Sequence, residues 1–235
     1  MDLEQNIRLV KERIARAAQQ AGRDPGEITL CAATKVQTDE TVRAAIAAGI
    51  EVCGENRVQE LCAHLEADAY SGAKQVHFIG HLQTNKVNKV VGRVELIHSV
   101  DSLHLLQAID KQAQKLGLVQ DILLQVNIGG EQSKGGVDPE QLEALANSAM
   151  DMAHVRLRGL MAIPPVALVP GGNTHYFVKM GELFVDMRDK MAHNKNDITC
   201  LSMGMSGDYE DAIARGATLV RIGTGLFGPR PPLQG

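Results

Sequence analysis

The chain has 235 residues, of which 44% are hydrophobic and 3% aromatic, and its formal net charge is -4 at pH 7. This size permits a large buried core. Net negative charge with few aromatic rings argues against a nucleic-acid-binding surface, which needs a basic face or stacking side chains. The apolar runs have the length of short strands, and the first residues, MDLEQNIRLVKER, have the period of an amphipathic helix rather than a signal peptide. We expect a globular cytoplasmic protein with no membrane partner.

Cysteine and histidine spacing gives no metal signature. The four cysteines form no C-x-x-C pair and lie mostly in apolar runs, where reduced cysteine packs as a small hydrophobic residue. His77 and His81 flank a glycine turn in HFIGH, without a helical i,i+4 partner or an adjacent carboxylate. We interpret both as polar residues at a strand end, and we expect neither a disulfide nor a zinc site.

Taken in chain order, the elements begin with one helix whose apolar face runs from Leu3 to Ala18 and which Gly22 ends. Short β-branched runs then alternate with helical patterns to the end of the chain. The predicted strands are 28–34, 50–54, 76–80, 95–100, 121–128, 156–162, 198–204 and 218–223. The predicted helices are 39–48, 57–68, 83–92, 102–116, 139–151, 174–192 and 208–215.

This alternation predicts an α/β fold with parallel strands and right-handed crossovers, and eight units of this length are typical of a (β/α)8 TIM barrel. We expect one domain over 1–235, with an N-terminal helix at about 2–21 and the barrel at about 28–228. The extra helix would cover the flank where no helix follows the last strand. A doubly wound open sheet is the alternative, since periodicity does not decide closure.

In a barrel, the residues that follow the strands converge on one mouth, where functional loops also lie. Most of these residues are polar, and each alone has an ordinary explanation as a helix cap or a solvated loop residue. They are Lys35, Asn56, His81, Ser99, Asn127, Met161, Met203, Ser206, Arg221, Gly223 and Thr224.

Lys35 and Arg221 are harder to explain in that way. Lys35 directly follows the apolar run LCAAT and could act as an amine nucleophile toward a carbonyl, although most lysines in such positions are merely solvated. Lowering a lysine pKa by about three units costs roughly 4 kcal/mol, which only an apolar or cationic pocket supplies. Arg221 lies within a strand pattern and must point into the mouth or toward a helix, where its acceptor would be either a structural carboxylate or a ligand.

The segment RIGTGLFG (221–228) contains the G-x-G-x-x-G pattern, but only seven residues follow Gly228, too few for the helix and strand of a dinucleotide fold. The segment SMGMSGD (202–208) misses the G-x-S-x-G nucleophile elbow by one residue, so a hydrolase is disfavoured. A hydroxyl after strand seven that faces a glycine turn after strand eight is typical of the barrel phosphate site. We therefore expect a single phosphate here rather than a pyrophosphate.

A strand-end lysine together with a phosphate site suggests a phosphorylated aldehyde, and the chain resembles the pyridoxal phosphate homeostasis protein family. The matching segments, in the family's order, are ITLCAATK, GENRVQE, HFIGHLQTNK, VNIGGEQSKGG, RLRGLMAIPP, LSMGMSGDYEDAI and VRIGTGLFG. The resemblance implies a barrel like the N-terminal domain of alanine racemase, with pyridoxal 5′-phosphate (PLP) on Lys35 as an internal aldimine. It places Arg221 at the pyridine nitrogen. The residues expected to hold the phosphate or line the site are Asn56, His81, Met203, Ser206, Gly223 and Thr224.

The function that the resemblance implies is non-catalytic: the protein, expected to be a monomer, holds PLP as a Schiff base and supplies it within the cell, possible recipients being PLP-dependent apo-enzymes. Lys134, in the loop GGEQSKGG, could be a secondary amine on the cofactor's way out, although a solvated lysine explains it equally. The alternatives are a minimal PLP-dependent racemase and a cofactor-free Schiff-base aldolase. An arginine at the ring nitrogen weakens carbanion stabilisation, and no tyrosine has an evident claim to a racemase base.

Overall fold

The computed structural model describes residues 2–131, 135–167, 169–191 and 198–229, and its centre is a closed barrel of eight parallel strands in sequential order. The ring closes because β1 pairs with both β2 and β8: the Cα of Cys31 lies opposite Val52 on one side and Arg221 on the other. The predicted TIM barrel is therefore confirmed over the open sheet. The strands are β1 Thr29–Ala33, β2 Val52–Glu55, β3 Gln75–Phe78, β4 Leu96–Val100, β5 Gln120–Val126, β6 Val155–Ala162, β7 Cys200–Ser202 and β8 Leu219–Ile222.

Helices surround this barrel largely where the apolar period predicts them. The α-helices are α1 Leu3–Gln20, α2 Asp39–Ala47, α3 Val58–Glu66, α4 Leu103–Leu116, α5 Leu142–Met150, α6 Thr174–Met191, α7 Tyr209–Ala214 and α8 Thr224–Phe227. Short 3-10 helices occur at Pro25–Glu27, Thr84–Lys89 and Pro139–Gln141.

Two helix predictions were wrong. The crossover between β3 and β4, predicted as a helix over 83–92, contains only the 3-10 helix Thr84–Lys89, whose polar sequence TNKVNK buries a single side chain, Val87. One apolar side chain cannot anchor an amphipathic α-helix, because such helices are stabilised mainly by packing of an apolar face. The one-turn helix α8 was missed because four residues are too few to carry a helical period.

Helix α1 packs on the flank of the barrel against α7 and α8. Its buried positions, which include Ile7, Val10 and Ile14, lie on the face that the sequence period predicts. A buried hydrogen bond fixes the contact, since the Asn6 side-chain amide donates to the carbonyl oxygen of Leu226 at 2.9 Å. Helix α1 thus covers α8, the one-turn helix that follows β8.

The buried side chains divide between an outer core and the barrel lumen. The outer core lies between the strands and the helices, and alternate strand residues face it. Small apolar clusters fill parts of the lumen, one around Cys31, Ala33 and Val52, the other around Leu96 and Leu123. Within the described part of the chain, no helix combines the length and apolar character needed to cross a membrane.

Candidate functional site

The Lys35 turn begins one residue after β1, at the carboxyl end of the barrel, and Lys35 itself is half-buried. The next residue, Val36, has a φ of 59°, which is a rare conformation for a β-branched residue. The Val36 backbone N–H donates to Glu60 Oε2 at 3.1 Å, so α3 ties down this turn. This hydrogen bond and the strained backbone hold the turn in place directly after β1.

A buried carboxylate, Glu55, supports the Lys35 turn from the side of the outer core. Thr34 Oγ1 donates to Glu55 Oε1 at 2.6 Å, and His64 Nε2 lies 3.7 Å from the same oxygen. Asp39 Oδ1 lies 2.5 Å from the other ring nitrogen of His64. Burial raises the pKa of Glu55, while the Thr34 hydrogen bond and His64 oppose that rise. These contacts connect the ends of β1 and β2 to the helices behind them.

Asn56 directly follows β2 beside this carboxylate. Its backbone N–H donates to Glu55 Oε2 at 3.3 Å, and its side-chain oxygen Oδ1 is buried and has no hydrogen-bond partner in the described part of the chain. A buried acceptor without a donor is unusual in a folded protein. Gly80 packs so closely here that a Cβ on it would lie 2.0 Å from the Asn56 carbonyl oxygen. Asn56 is thus held rigidly while its Oδ1 is available to a ligand donor.

Arg221 points into the lumen and is 4% exposed. Its Nη1 donates to Ser202 Oγ, and its Nη2 donates to the Ala162 carbonyl oxygen at 2.8 Å. Ser202 and Ala162 end β7 and β6, so the guanidinium lies along the carboxyl edge of the barrel. Among the described residues Arg221 makes no ion pair. Burial lowers the pKa of Arg221 to about 10, which keeps the side chain a cation at neutral pH.

A chain of polar side chains continues from Arg221 across the lumen. Ser202 Oγ lies 3.0 Å from His98 Nδ1, and His98 Nε2 lies 3.1 Å from His77 Nδ1. His77 Nε2 lies 2.9 Å from Gln75 Oε1, at the amino-terminal end of β3. Burial lowers the pKa of His77 to about 3, and burial, with His77 and Arg221, lowers that of His98 well below its usual range. Both imidazoles are therefore neutral at physiological pH.

The glycine turn after β8 forms an anion-binding geometry with Ser206. The backbone N–H groups of Gly223 and Gly225 both donate to Ser206 Oγ, at 3.3 and 3.1 Å. A Cβ on Gly225 would lie 3.0 Å from Ile222 Cγ2 and 3.6 Å from Ser206 Oγ, so glycine keeps this approach open. The loop is fixed from the other side, because the Met205 N–H donates to Asp208 Oδ1 at 2.7 Å. The two N–H groups thus converge on one acceptor, the Ser206 hydroxyl oxygen, in a donor geometry of the kind that binds an anion.

The remaining predicted residues differ in how close to the mouth they lie. His81 is exposed, and a Cβ on Gly135, in the loop after β5, would lie 3.8 Å from its Nδ1, which places it at the rim. Thr224 is exposed at the first position of α8. Met203 is fully buried in the outer core, so its side chain does not face the lumen. Lys134 lies outside the described residues.

Sequence reasoning missed the buried lumen residues Ser202 and His98 and the exposed Gln75 at the amino-terminal end of β3, and it interpreted His77 wrongly as a polar residue at a strand end. His77 is 2% exposed and faces its partners inside the barrel. The available signal was alternation: each of these residues occupies the inward-facing set of its strand, opposite the apolar residues that meet the helices. Parallel strands covered on both faces give near-continuous apolar runs, so a polar residue within such a run indicates a polar contact inside the barrel.

The comparisons with known proteins are consistent with this geometry. The family model described as Alanine racemase, N-terminal domain, matches residues 2–231. A Pyridoxal phosphate homeostasis protein from Aquifex aeolicus (strain VF5) is 46% identical over 222 residues, 94% of this chain and 95% of that protein. The protein of the same name from Pseudomonas aeruginosa is 41% identical over 227 residues, 96% of this chain and 95% of that one. A structure of PipY from Synechococcus elongatus PCC7942 with PLP bound is 35% identical, with a TM-score of 0.80, and covers 93% of this chain and 100% of that chain.

Proposed function

The chain belongs to the pyridoxal phosphate homeostasis protein family, and from that premise we propose that it binds PLP at the barrel mouth as a Schiff base with Lys35. It would keep the cofactor available in the cell without turning over a substrate. The observation that carries this proposal is the state of Arg221, a buried cation that has no carboxylate partner among the described residues. Arg221 lies on β8, which pairs with β1, and Lys35 follows β1.

The donor set fits the three functional groups of PLP. The Lys35 amine suits the aldehyde. A guanidinium carries more N–H donors than its two protein hydrogen bonds use, so Arg221 can donate to the pyridine nitrogen. The N–H groups of Gly223 and Gly225, with the Ser206 hydroxyl, suit the phosphate. In addition, we propose that Asn56 and His81 line the site and that Thr224 helps to hold the phosphate. Met203 would take part only through its backbone, since its side chain is enclosed by the outer core.

The same residues favour binding over catalysis. Bound PLP supplies an electron sink, whose strength depends on protonation of the ring nitrogen. A cation at that nitrogen disfavours its protonation, so Arg221 weakens the sink. Tyr70 and Tyr209 are buried in the outer core, and Tyr209 packs beside Arg13 of α1 rather than at the mouth. This arrangement gives no support to a tyrosine acid or base of the racemase kind.

The proposal also covers the domain, location, oligomeric state and recipients of the protein. We propose that the whole chain, 1–235, acts as one barrel domain, that it works in the cytoplasm as a monomer, and that PLP-dependent apo-enzymes receive its cofactor. The sequential closed barrel supports the single domain, since the strands from Thr29 to Ile222 form one ring. Gel filtration coupled to light scattering tests the monomer, and reactivation of an apo-enzyme in a protease-free mixture tests the transfer.

The primary experiment locates the cofactor. Purified protein is incubated with PLP, its absorption spectrum is recorded, the linkage is reduced with borohydride, and peptide mass spectrometry finds the modified lysine. We expect a visible absorption band and modification of Lys35, both lost in Lys35→Ala. Lys111→Ala, an exposed lysine on α4, is the matched control and should change neither result. A protein that takes up no PLP, or one modified only at other lysines, contradicts the proposal.

A second assay tests the absence of turnover. The PLP-loaded protein is incubated with L-alanine and with other L-amino acids, and chiral chromatography measures the D-enantiomer over time. We expect no D-amino acid above the level given by free PLP. Racemisation that disappears in Lys35→Ala would assign the protein to the enzymatic alternative while leaving cofactor binding intact.

A further inference from the structure

The series of hydrogen bonds from Arg221 across the lumen runs in one donor-to-acceptor direction, because a guanidinium can only donate hydrogen bonds. Ser202 Oγ accepts from Arg221, so its hydroxyl proton is free to donate to His98 Nδ1. His98 then carries its proton on Nε2 and donates to His77 Nδ1. His77 in turn donates from Nε2 to the Gln75 side-chain oxygen. With Gln75 presenting that oxygen, only this direction gives each donor in the chain an acceptor.

The direction matters electrostatically, since every acceptor end of these dipoles faces Arg221. A buried cation needs compensation, and most proteins supply it with a carboxylate. Here, no carboxylate among the described residues lies within ion-pair distance of Arg221, and Asp208 acts on it only from farther away, while the oriented hydroxyl and the two neutral rings place partial negative charge toward it. A carboxylate would cancel the charge of Arg221, whereas oriented dipoles stabilise the guanidinium and leave its full positive charge to act on a ligand.

We propose that Ser202, His98, His77 and Gln75 replace a counter-ion for Arg221, and that Ser202 and His98 are positioning residues that hold the guanidinium toward the cofactor's ring nitrogen. This inference rests on the proposed PLP site and adds residues that act on the ring end of the ligand through Arg221. The chain is not a proton relay. It begins at a permanently charged guanidinium and ends at an amide oxygen, neither of which takes up and releases a proton at neutral pH.

The first test concerns the direction and needs no cofactor. Two-bond 1H–15N NMR spectra of protein labelled with 15N-histidine distinguish the two neutral tautomers from the imidazolium, and the variants His77→Gln and His98→Gln assign the signals. We expect both rings to be neutral and protonated on Nε2, in the apo protein and after PLP is added. Protonation of either ring on Nδ1 alone, or an imidazolium at pH 7, overturns the proposal.

The second test uses Ser202→Ala, with Ser99→Ala as the matched control. Ser99 is also a buried serine, but its hydroxyl has no hydrogen-bond partner among the residues that the structure describes. Binding is measured for PLP and for its 1-deaza analogue, which keeps the aldehyde and phosphate but has no ring nitrogen. We expect Ser202→Ala to weaken PLP binding roughly tenfold and binding of the analogue by less than about twofold, since the analogue offers Arg221 no acceptor. Ser99→Ala should change neither affinity.

The outcomes separate this inference from the proposed function. Equal losses for PLP and the analogue in Ser202→Ala mean that the serine has only a structural role, and the inference fails although PLP binding stands. No loss for either ligand likewise overturns it. Failure of the wild-type protein to bind PLP refutes the proposed function and, with it, the positioning role, whereas the NMR result still decides the direction of the chain. If Ser202→Ala does not fold, the tautomers of the wild-type protein remain a sufficient test.

Discussion

The neutral state of the lumen histidines makes stability depend on pH in a way that one substitution isolates. His77 is 2% exposed, and burial lowers its pKa to about 3, whereas a histidine in the unfolded chain titrates near 6.5. Between these values the unfolded state binds one more proton at this residue, so acid favours unfolding. The contribution is complete above about pH 6.5 and is lost progressively as the pH falls toward 3.

The magnitude follows from the linkage relation, which gives about 1.4 kcal/mol per pH unit for one proton. From pH 5.5 to pH 4.5 the unfolded ring is almost fully protonated and the folded ring almost fully neutral. His77 should thus remove about 1.3 kcal/mol of the free energy of unfolding over this interval. In His77→Gln, which has no proton to gain, the fall in stability over the same interval should be smaller by at least that amount, because removal of His77 also removes part of the effect that lowers the pKa of His98.

The assay is urea unfolding of cofactor-free protein, followed by far-UV circular dichroism at both pH values, since bound ligand would add its own linkage. His104→Gln is the control, because this histidine is exposed on α4, and its pH dependence should match that of the wild type. Parallel stability curves for wild type and His77→Gln would refute the neutral, buried state of this ring. They would also weaken the dipole argument for Arg221, which depends on that state.

Three further predictions concern glycines and the α1 contact. Gly225→Ala should raise the dissociation constant for PLP roughly tenfold and that for pyridoxal by less than about twofold, since the added methyl would lie 3.6 Å from Ser206 Oγ at the proposed phosphate position. Its shortest contact is with Ile222 Cγ2 at 3.0 Å, so equal losses for the two ligands in titrations would show a purely structural effect and contradict the prediction. Gly159→Ala should destabilise the protein by roughly 3 kcal/mol or more in urea unfolding, because its φ is 149° and a Cβ would lie 1.8 Å from the Cys200 carbonyl oxygen. Gly207→Ala is the control for Gly159→Ala and should stay within about 0.5 kcal/mol of wild type, because its added Cβ would meet no atom of the described residues, its chain neighbours apart, within 4 Å. Asn6→Ala should cost about 1–2 kcal/mol by the same measurement, and an unchanged stability would show that its hydrogen bond to Leu226 does not hold α1 in place.

The architecture could be predicted from the sequence because it depends on repeated patterns. Eight alternating units leave few topologies, and each strand prediction lies within a few residues of the observed strand. The helix prediction for the β3–β4 crossover was wrong, because an α-helix there would need an apolar face that Thr84–Lys89 does not have. The four-residue helix α8 was not predicted for the opposite reason: it forms, but it is stabilised by contact with α1 and is too short to show a helical period of apolar residues.

The candidate site was only partly predictable, because its residues are far apart in the sequence and come together only in the folded chain. Lys35 and Arg221 could be found from strand position, since a charged residue within an apolar run needs an explanation. The hydrogen bond between His77 and His98 could not, because it depends on which face of β3 and β4 turns inward and on how the barrel staggers. The convergence of Gly223 and Gly225 on Ser206 likewise required backbone directions that no spacing rule gives.

The Lys35 turn combines strain with support in a way that suits a reversible covalent site. A β-branched residue at a φ of 59° costs on the order of 1–2 kcal/mol, and it persists only where the surroundings fix it. The fixing contacts are present on both sides: Glu60 accepts from the Val36 N–H, and Glu55 accepts from Thr34. Because the backbone around Lys35 is constrained before any ligand arrives, little ordering entropy is lost on binding. In the proposed function, the Lys35 amine would form and break its link to PLP without any rebuilding of this turn.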